Sequence, residues 1–274
     1  MVNKLDYDLI NPKNDSLPYI VLIHGAGGDK SQWDFQIDFL SKRKFGILAI
    51  SLPNHGKSRS DPDISFYENS VSQSLIDDYT HDIIDLISSL DFKNYYLGGH
   101  SMGGAIALNF VLLTEKGVIE DPPPSPKALF LVGTGAKLNV APVFFDLLKT
   151  DFKEALRLMS KFSYGTNADL SIKYKNQDIL TNNGLIVLYN DLEACRHFDV
   201  REDLERIKIP TVIICGDEDQ MTPPKFSRYL HENIPNSQIF LIHDAGHFVF
   251  QEVPTQVNNI IYKAITSGMY DNDQ

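Results

Sequence analysis

The sequence predicts an α/β protein: a mostly parallel open sheet with helices on both faces and one helical insertion. Two features of the apolar pattern carry this reading. Short apolar runs alternate with amphipathic segments along most of the chain, and strand–helix alternation folds into parallel units. Most of the runs are apolar throughout instead of at every second residue, as strands buried on both faces are. A third feature breaks the alternation, because residues 138–198 hold helical patterns and no strand-like run.

Taken in order, Leu5 to Ile10 reads as one short edge strand and Tyr19 to His24 as the first buried one. A helix over Lys30 to Lys42 leads to a strand over Gly46 to Leu52. Leu75, Tyr79, Ile83, Leu86 and Leu90 then recur at helical steps, with Asp77, Asp78, Asp82 and Asp85 on the opposite side. Asn94 to Gly98 is a strand and Gly104 to Leu113 a helix. Glu120 to Pro126 contains four prolines and must be an extended loop before the strand Lys127 to Gly133. Within the insertion, Val143 to Leu148, Phe152 to Met159, Leu170 to Leu180 and Leu185 to Arg196 read as short helices. Strands at Pro210 to Gly216 and Ser237 to His243 and helices at Pro224 to Glu232 and Pro254 to Thr266 complete the set. The expected organisation is a core of 1–137 and 199–274 carrying a helical lid at 138–198.

Composition narrows the function classes. The 274 residues are 43% hydrophobic and 22% charged, an ordinary balance for a globular chain large enough to bury a sizeable core. A formal net charge of −11 opposes a nucleic-acid partner, which would require a basic stripe. Cys195 and Cys215 stand alone, with no Cys-x-x-Cys zinc or redox pattern. Met1 to Asp6 lacks the apolar core of a secretory signal. No apolar stretch approaches the roughly 20 residues that span a bilayer. A soluble, cytoplasmic protein without stable membrane insertion is expected, and the sequence leaves monomer and homodimer both open.

Chemistry enters at residues 99–103, Gly-His-Ser-Met-Gly, placed directly between a strand and a helix. In that context Gly-x-Ser-x-Gly is a sharp turn that projects the serine oxygen beside a helix N-terminus, with small flanking residues because a Cβ there would collide with its neighbours. Ser101 is the candidate nucleophile. A serine hydroxyl requires a base, and imidazole, which titrates near neutrality, suits that task. Among eight histidines, His247 follows a strand end late in the chain, in the order Ser, acid, His. His24, His55 and His100 lie early, His81 and His231 fall within helices, His197 is in the insertion, and His243 at a strand end is a candidate supporting group. The acid lies in Gly216 to Pro223, where Asp217 and Asp219 compete. His24 to Gly28 is a glycine-rich turn after the first buried strand, so the backbone N–H groups of Ala26 and Met102 are the expected oxyanion donors. Gly56-Lys57-Ser58 is not a phosphate loop, since Ser51 stands where its first glycine belongs. Gly246 between His243 and His247 opposes a helical zinc site.

These residues resemble the α/β-hydrolase superfamily, in its lidded esterase and lipase-like branch, over nearly the whole chain. His24 to Gly27 is similar to the oxyanion turn, with Trp33 as the aromatic that follows, and Gly99 to Gly103 to the nucleophile elbow. Leu52 to Ser58 is similar to the family's second loop, although Ser51 replaces its aspartate and Asn54 its first glycine. The register between Gly216 and Pro223 selects Asp219 as the acid, and Glu252 and Pro254 after His247 fit the histidine loop. The resemblance implies a cofactor-free carboxylesterase with the triad Ser101, Asp219 and His247, acting on short- to medium-chain acyl esters. Trp33, Phe144, Phe145, Met159 and Phe248 are the candidate substrate contacts. Carbon–carbon bond hydrolases, thioesterases and peptidases share the scaffold, and a small-ligand receptor of the same fold is the non-enzyme alternative.

Overall fold

The computed structural model describes residues 5–14, 16–58 and 72–267; Met1 to Lys4, on which part of the signal-peptide reading rests, lie outside the described residues. The chain begins with β1 (Asp6–Ile10), β2 (Tyr19–Ile23), α1 (Asp34–Lys42) and β3 (Gly46–Ser51). It continues through α2 (Ser72–Ser89), β4 (Tyr95–His100), α3 (Met102–Glu115) and β5 (Leu129–Val132). Four helices then follow without an intervening strand: α4 (Pro142–Thr150), α5 (Phe152–Ser163), α6 (Leu170–Asn183) and α7 (Leu185–His197). The last elements are β6 (Thr211–Gly216), α8 (Pro224–Asn233), β7 (Ser237–Ile242), α9 (Val249–Glu252) and α10 (Pro254–Thr266).

A seven-stranded sheet runs β1-β3-β2-β4-β5-β6-β7. Only the edge strand β1 is antiparallel among the described pairings. Alternation along each strand sends successive side chains to opposite faces. Ile20, Leu22, Ile47, Phe130 and Ile214 meet Leu40 of α1 and Val257 and Ile261 of α10. Val21, Ile23, Leu48, Leu97 and Ile213 meet Ile83 of α2, Phe110 of α3 and Leu230 of α8. Each such fully buried side chain contributes about 1.5–3 kcal/mol, which is why the runs had to be apolar on both faces.

Two features of the topology position the site. The strands β3 and β4 flank β2 on opposite sides, so the loops leaving β2 and β4 diverge at a switch point where open α/β sheets bind ligands. The segment carrying α4–α7 leaves and rejoins the sheet at a neck, where Lys137 bridges Asp199 and Val200 N donates to Ala136 O at 2.8 Å. Its helices are not alike. The inner side of α7 joins the main core through Ala194 and Cys195, whereas Phe144, Leu148, Leu156 and Met159 of α4 and α5 form a separate cluster on Leu188 and Leu192.

Candidate active site

The turn between β4 and α3 is strained where the motif demands it. Ser101 holds φ 51° and ψ −116°, a left-handed conformation that costs a non-glycine residue about 1–3 kcal/mol. Glycines on both sides make room for the bend: a Cβ on Gly99 would strike the backbone of Gly103, and one on Gly103 the carbonyls of Ile23 and His24. The strain is held by hydrogen bonds. Ser101 N donates to Val132 O at 2.9 Å, and Ser101 O accepts from Gly104 N at 2.9 Å and Thr134 Oγ1 at 2.7 Å. The Ser101 side chain makes no capping bond to α3, and this half-buried residue sits among fully buried neighbours.

The loops after β6 and β7 bring Asp219 and His247 together, although 28 residues separate them. Asp219 Oδ2 accepts from His247 Nδ1 at 2.9 Å and from Thr222 Oγ1 at 2.8 Å, while Oδ1 accepts from Met221 N at 2.9 Å and Thr222 N at 2.8 Å. With Nδ1 carrying the proton toward a carboxylate, Nε2 of His247 is left as the acceptor. The His247 backbone is fixed at both ends, its N donating to Ser163 O at 2.7 Å and its O accepting from His100 Nε2 at 3.1 Å. Glu252 Oε2 braces the same loop by accepting from Gly246 N at 3.1 Å and Gly165 N at 2.9 Å.

The turn after β2 presents Ala26 to the same space. His24 Nδ1 lies 2.8 Å from Gly25 O and must donate to it, and its Nε2 accepts from Leu52 N at 3.0 Å. That pattern requires a neutral ring. Burial, then the neighbouring His55, holds His24 well below the ordinary histidine range. Gly25 O also accepts from Gly28 N at 3.0 Å. In a planar trans peptide the N–H points opposite the C=O, so pinning Gly25 O aims the Ala26 N–H the other way.

A cavity of about 290 Å³ is lined by Ala26, Ser101 and His247 together with Phe144, Met159 and Phe248. Two expected substrate contacts are not on its wall. Trp33 is fully buried against Phe250, ring centroids 4.3 Å apart, and belongs to the sheet core. Phe145 turns away to meet Tyr189 edge-on at 5.4 Å, with the Arg196 guanidinium 4.8 Å from its ring. His243 stands at the surface, its side chain 85% exposed and paired with Asp217. Asp217 is taken up by that pair, and His247 is bonded to Asp219. Among the described residues no group of His, Cys, Asp and Glu has the makings of a metal site.

Sequence reasoning missed Thr222, whose hydroxyl sits 2.8 Å from Asp219 and 3.2 Å from His247 Nδ1. It also missed Asn183 and Asp191, which reach the Ala26 turn from the insertion. For Asp191 a signal existed: it lies three residues after Leu188 and four before Cys195, on the apolar side of its helix.

The chain is similar to known proteins over most of its length. The AB hydrolase superfamily protein YisY of Bacillus subtilis is 25% identical over 254 residues, covering 88% of this chain and 89% of its own. A solved thermophilic esterase is 28% identical with a TM-score of 0.74, covering 96% and 98% of the two chains. The esterase EaEST from Exiguobacterium antarcticum superposes with a TM-score of 0.82 at 19% identity over 95% of each chain, a likeness of fold. Residues 20–260 match the Alpha/beta hydrolase family, and the chain belongs to that family.

Proposed function

We propose that this hydrolase is a carboxylesterase cleaving short- to medium-chain acyl esters through Ser101, His247 and Asp219. The observation that carries the reading is the Asp219–His247 hydrogen bond of 2.9 Å beside a strained serine on the wall of one cavity. Ser101 Oγ attacks the ester carbonyl carbon while His247 Nε2 takes its proton. The carbonyl oxygen becomes an oxyanion held by the N–H groups of Ala26 and Met102, each worth about 10²–10³ in rate. His247 returns the proton to the departing alcohol as the C–O bond breaks. Water, deprotonated in turn by His247, then cleaves the acyl-enzyme, and Ser101 regains its proton. Asp219 keeps the ring in its productive tautomer and stabilises the imidazolium.

The size of the cavity, about 290 Å³, lies at the lower end of ligand pockets, which favours short acyl chains over long ones. Its apolar wall of Phe144, Leu156 and Met159 suits an acyl group, and the segment 138–198 acts as its lid. The likeness to the thermophilic esterase supports the ester assignment. The test is a panel of p-nitrophenyl esters, thioesters and amino-acyl amides, with fluorophosphonate labelling and Ser101→Ala alongside. Turnover of acetate to octanoate esters, lost together with labelling in the variant, is expected. Labelling without ester turnover would move the assignment to another acyl or carbon–carbon bond, and full activity in Ser101→Ala would end it.

A further inference from the structure

We infer that Asp191, on α7 of the inserted segment, is a positioning residue that sets the oxyanion turn from outside the triad. The inference rests on the Ser101 reading above. Asp191 is fully buried, and both oxygens are engaged. Oδ2 accepts from Gly27 N at 2.7 Å and from His55 Nε2 at 2.8 Å, and Oδ1 accepts from Tyr79 OH at 2.9 Å. The Gly27 bond spans 164 residues, so it joins the insertion to the turn that carries Ala26.

The rest of the turn is gripped from the preceding helix, α6. Asn183 at the end of α6 donates to Gly27 O at 2.9 Å and Gly28 O at 2.6 Å, and accepts from Gly56 N at 2.8 Å. Gly27 takes φ +65°, and a side chain there would meet Leu188 and Leu180. Three consecutive peptides are thereby pinned. The first is held at Gly25 O by His24 and Gly28 N, the second at Gly27 N by Asp191, and the third at Gly27 O by Asn183. The Ala26 N–H belongs to the first of these. The third peptide carries Gly28 N, so fixing the second and third sets the donor that holds Gly25 O and with it the direction of the Ala26 N–H.

Charge explains why a buried carboxylate is tolerated here. His55 Nδ1 faces Pro53 O at 2.9 Å while Nε2 faces Asp191; with both nitrogens against acceptors, the ring carries two protons. Burial opposes that charge, but the Asp191 carboxylate, with Pro53 O and Asp29 behind it, raises His55 above the ordinary histidine range. An unpaired buried carboxylate would be far more costly than this pair.

The experiment compares wild type, Asp191→Ala, Asp191→Asn and Asn183→Ala, each scaled to folded enzyme by circular dichroism, with Ser101→Ala as control. Alanine at 191 removes the acceptor for Gly27 N. The expected result is a kcat loss of about 10²-fold, of the size of a lost oxyanion donor, with KM changed less than about threefold, as befits an interaction made only in the transition state. Phenylboronic acid, which binds as a tetrahedral adduct of Ser101, weakens in parallel. Asparagine keeps an acceptor oxygen for Gly27 N and recovers most of kcat. Asn183→Ala shows the same pattern, and it carries the test should Asp191→Ala fail to fold. Unchanged kcat and boronate affinity in whichever of these two variants folds overturns the inference. Turnover surviving in Ser101→Ala instead overturns the reading beneath it.

Discussion

At the residue scale, Asp219 has no spare lone pair that a substitution leaves neutral. Its Oδ1 is committed to the N–H groups of Met221 and Thr222 and its Oδ2 to His247 and Thr222. In Asp219→Asn the amide oxygen stays on the two backbone donors, which forces the NH₂ toward His247 Nδ1. The ring must then carry its proton on Nε2, where it has no basicity to offer Ser101. The expected kcat loss is about 10⁴-fold with little change in KM, read on a p-nitrophenyl ester; a loss under tenfold would remove Asp219 from the mechanism. The elbow glycines are steric, not chemical. Gly103→Ala places a methyl against the carbonyls of Ile23 and His24, and because those atoms are backbone at the end of β2 they cannot give way. Loss of activity together with a lowered melting temperature is expected, in contrast to Asp219→Asn, which leaves the fold intact.

At the element scale, α2 shows a helix whose buried side outweighs a poor exposed one. Ile76, Ile83 and Ile87 pack into the core, while Asp78, Asp82 and Asp85 crowd the other face, and like charges at this spacing repel. Partial burial, then Asp85 and Asp78, push the Asp82 carboxyl up to about 6. The native value lies above that of the unfolded chain, so the native state binds this proton more tightly and stability falls as pH rises from about 4 through 6. Asp82→Asn should therefore raise the melting temperature at pH 8 and leave it unchanged near pH 3.5. An equal shift at both values would rule out the titration. The neighbouring Asp77 instead accepts from Asn109 of α3 at 2.7 Å.

At the scale of the whole molecule, the inserted segment is two structures. Cys195 and Ala194 of α7 share the main core with α3, and Asp191 is bonded beneath the Ala26 turn. In contrast α4 rests on the cavity cluster, with Val143 46% exposed. Hydrogen exchange should find α7 protected like the sheet and α4 opening at much lower free energy; comparable protection in both would contradict this division of the segment. Acid sensitivity belongs to this scale too. Burial holds His24 and His100 well below the ordinary histidine range. The unfolded chain takes up protons at these sites below about pH 6.5 and the native chain does not, so stability present above that pH is lost as it falls. His55 has the opposite sign, and its contribution, full below about 6.5, is lost as pH rises through its raised native value. His24→Asn should flatten the acid limb of a calorimetric stability profile by about 1.4 kcal/mol per pH unit; an unchanged slope would mean that His24 is not buried neutral.

Local pattern determined a great deal of this protein. Apolar runs such as Val212 to Cys215 could only be strands covered on both faces, and the glycines around Ser101 could only serve a turn too tight for Cβ atoms. Both follow from short-range sterics and from the period of side-chain direction, which one stretch of chain expresses by itself. What tertiary structure decided was which groups meet. Asp217 is drawn to His243 at the surface, Trp33 is sunk in the core instead of lining the cavity, and Asp191 reaches Gly27 across 164 residues. Those outcomes depend on the order and twist of strands far apart in sequence, and on which burial each charge can balance with a partner. An aspartate on a helix carries no mark of the glycine it will hold until the sheet has brought the two together.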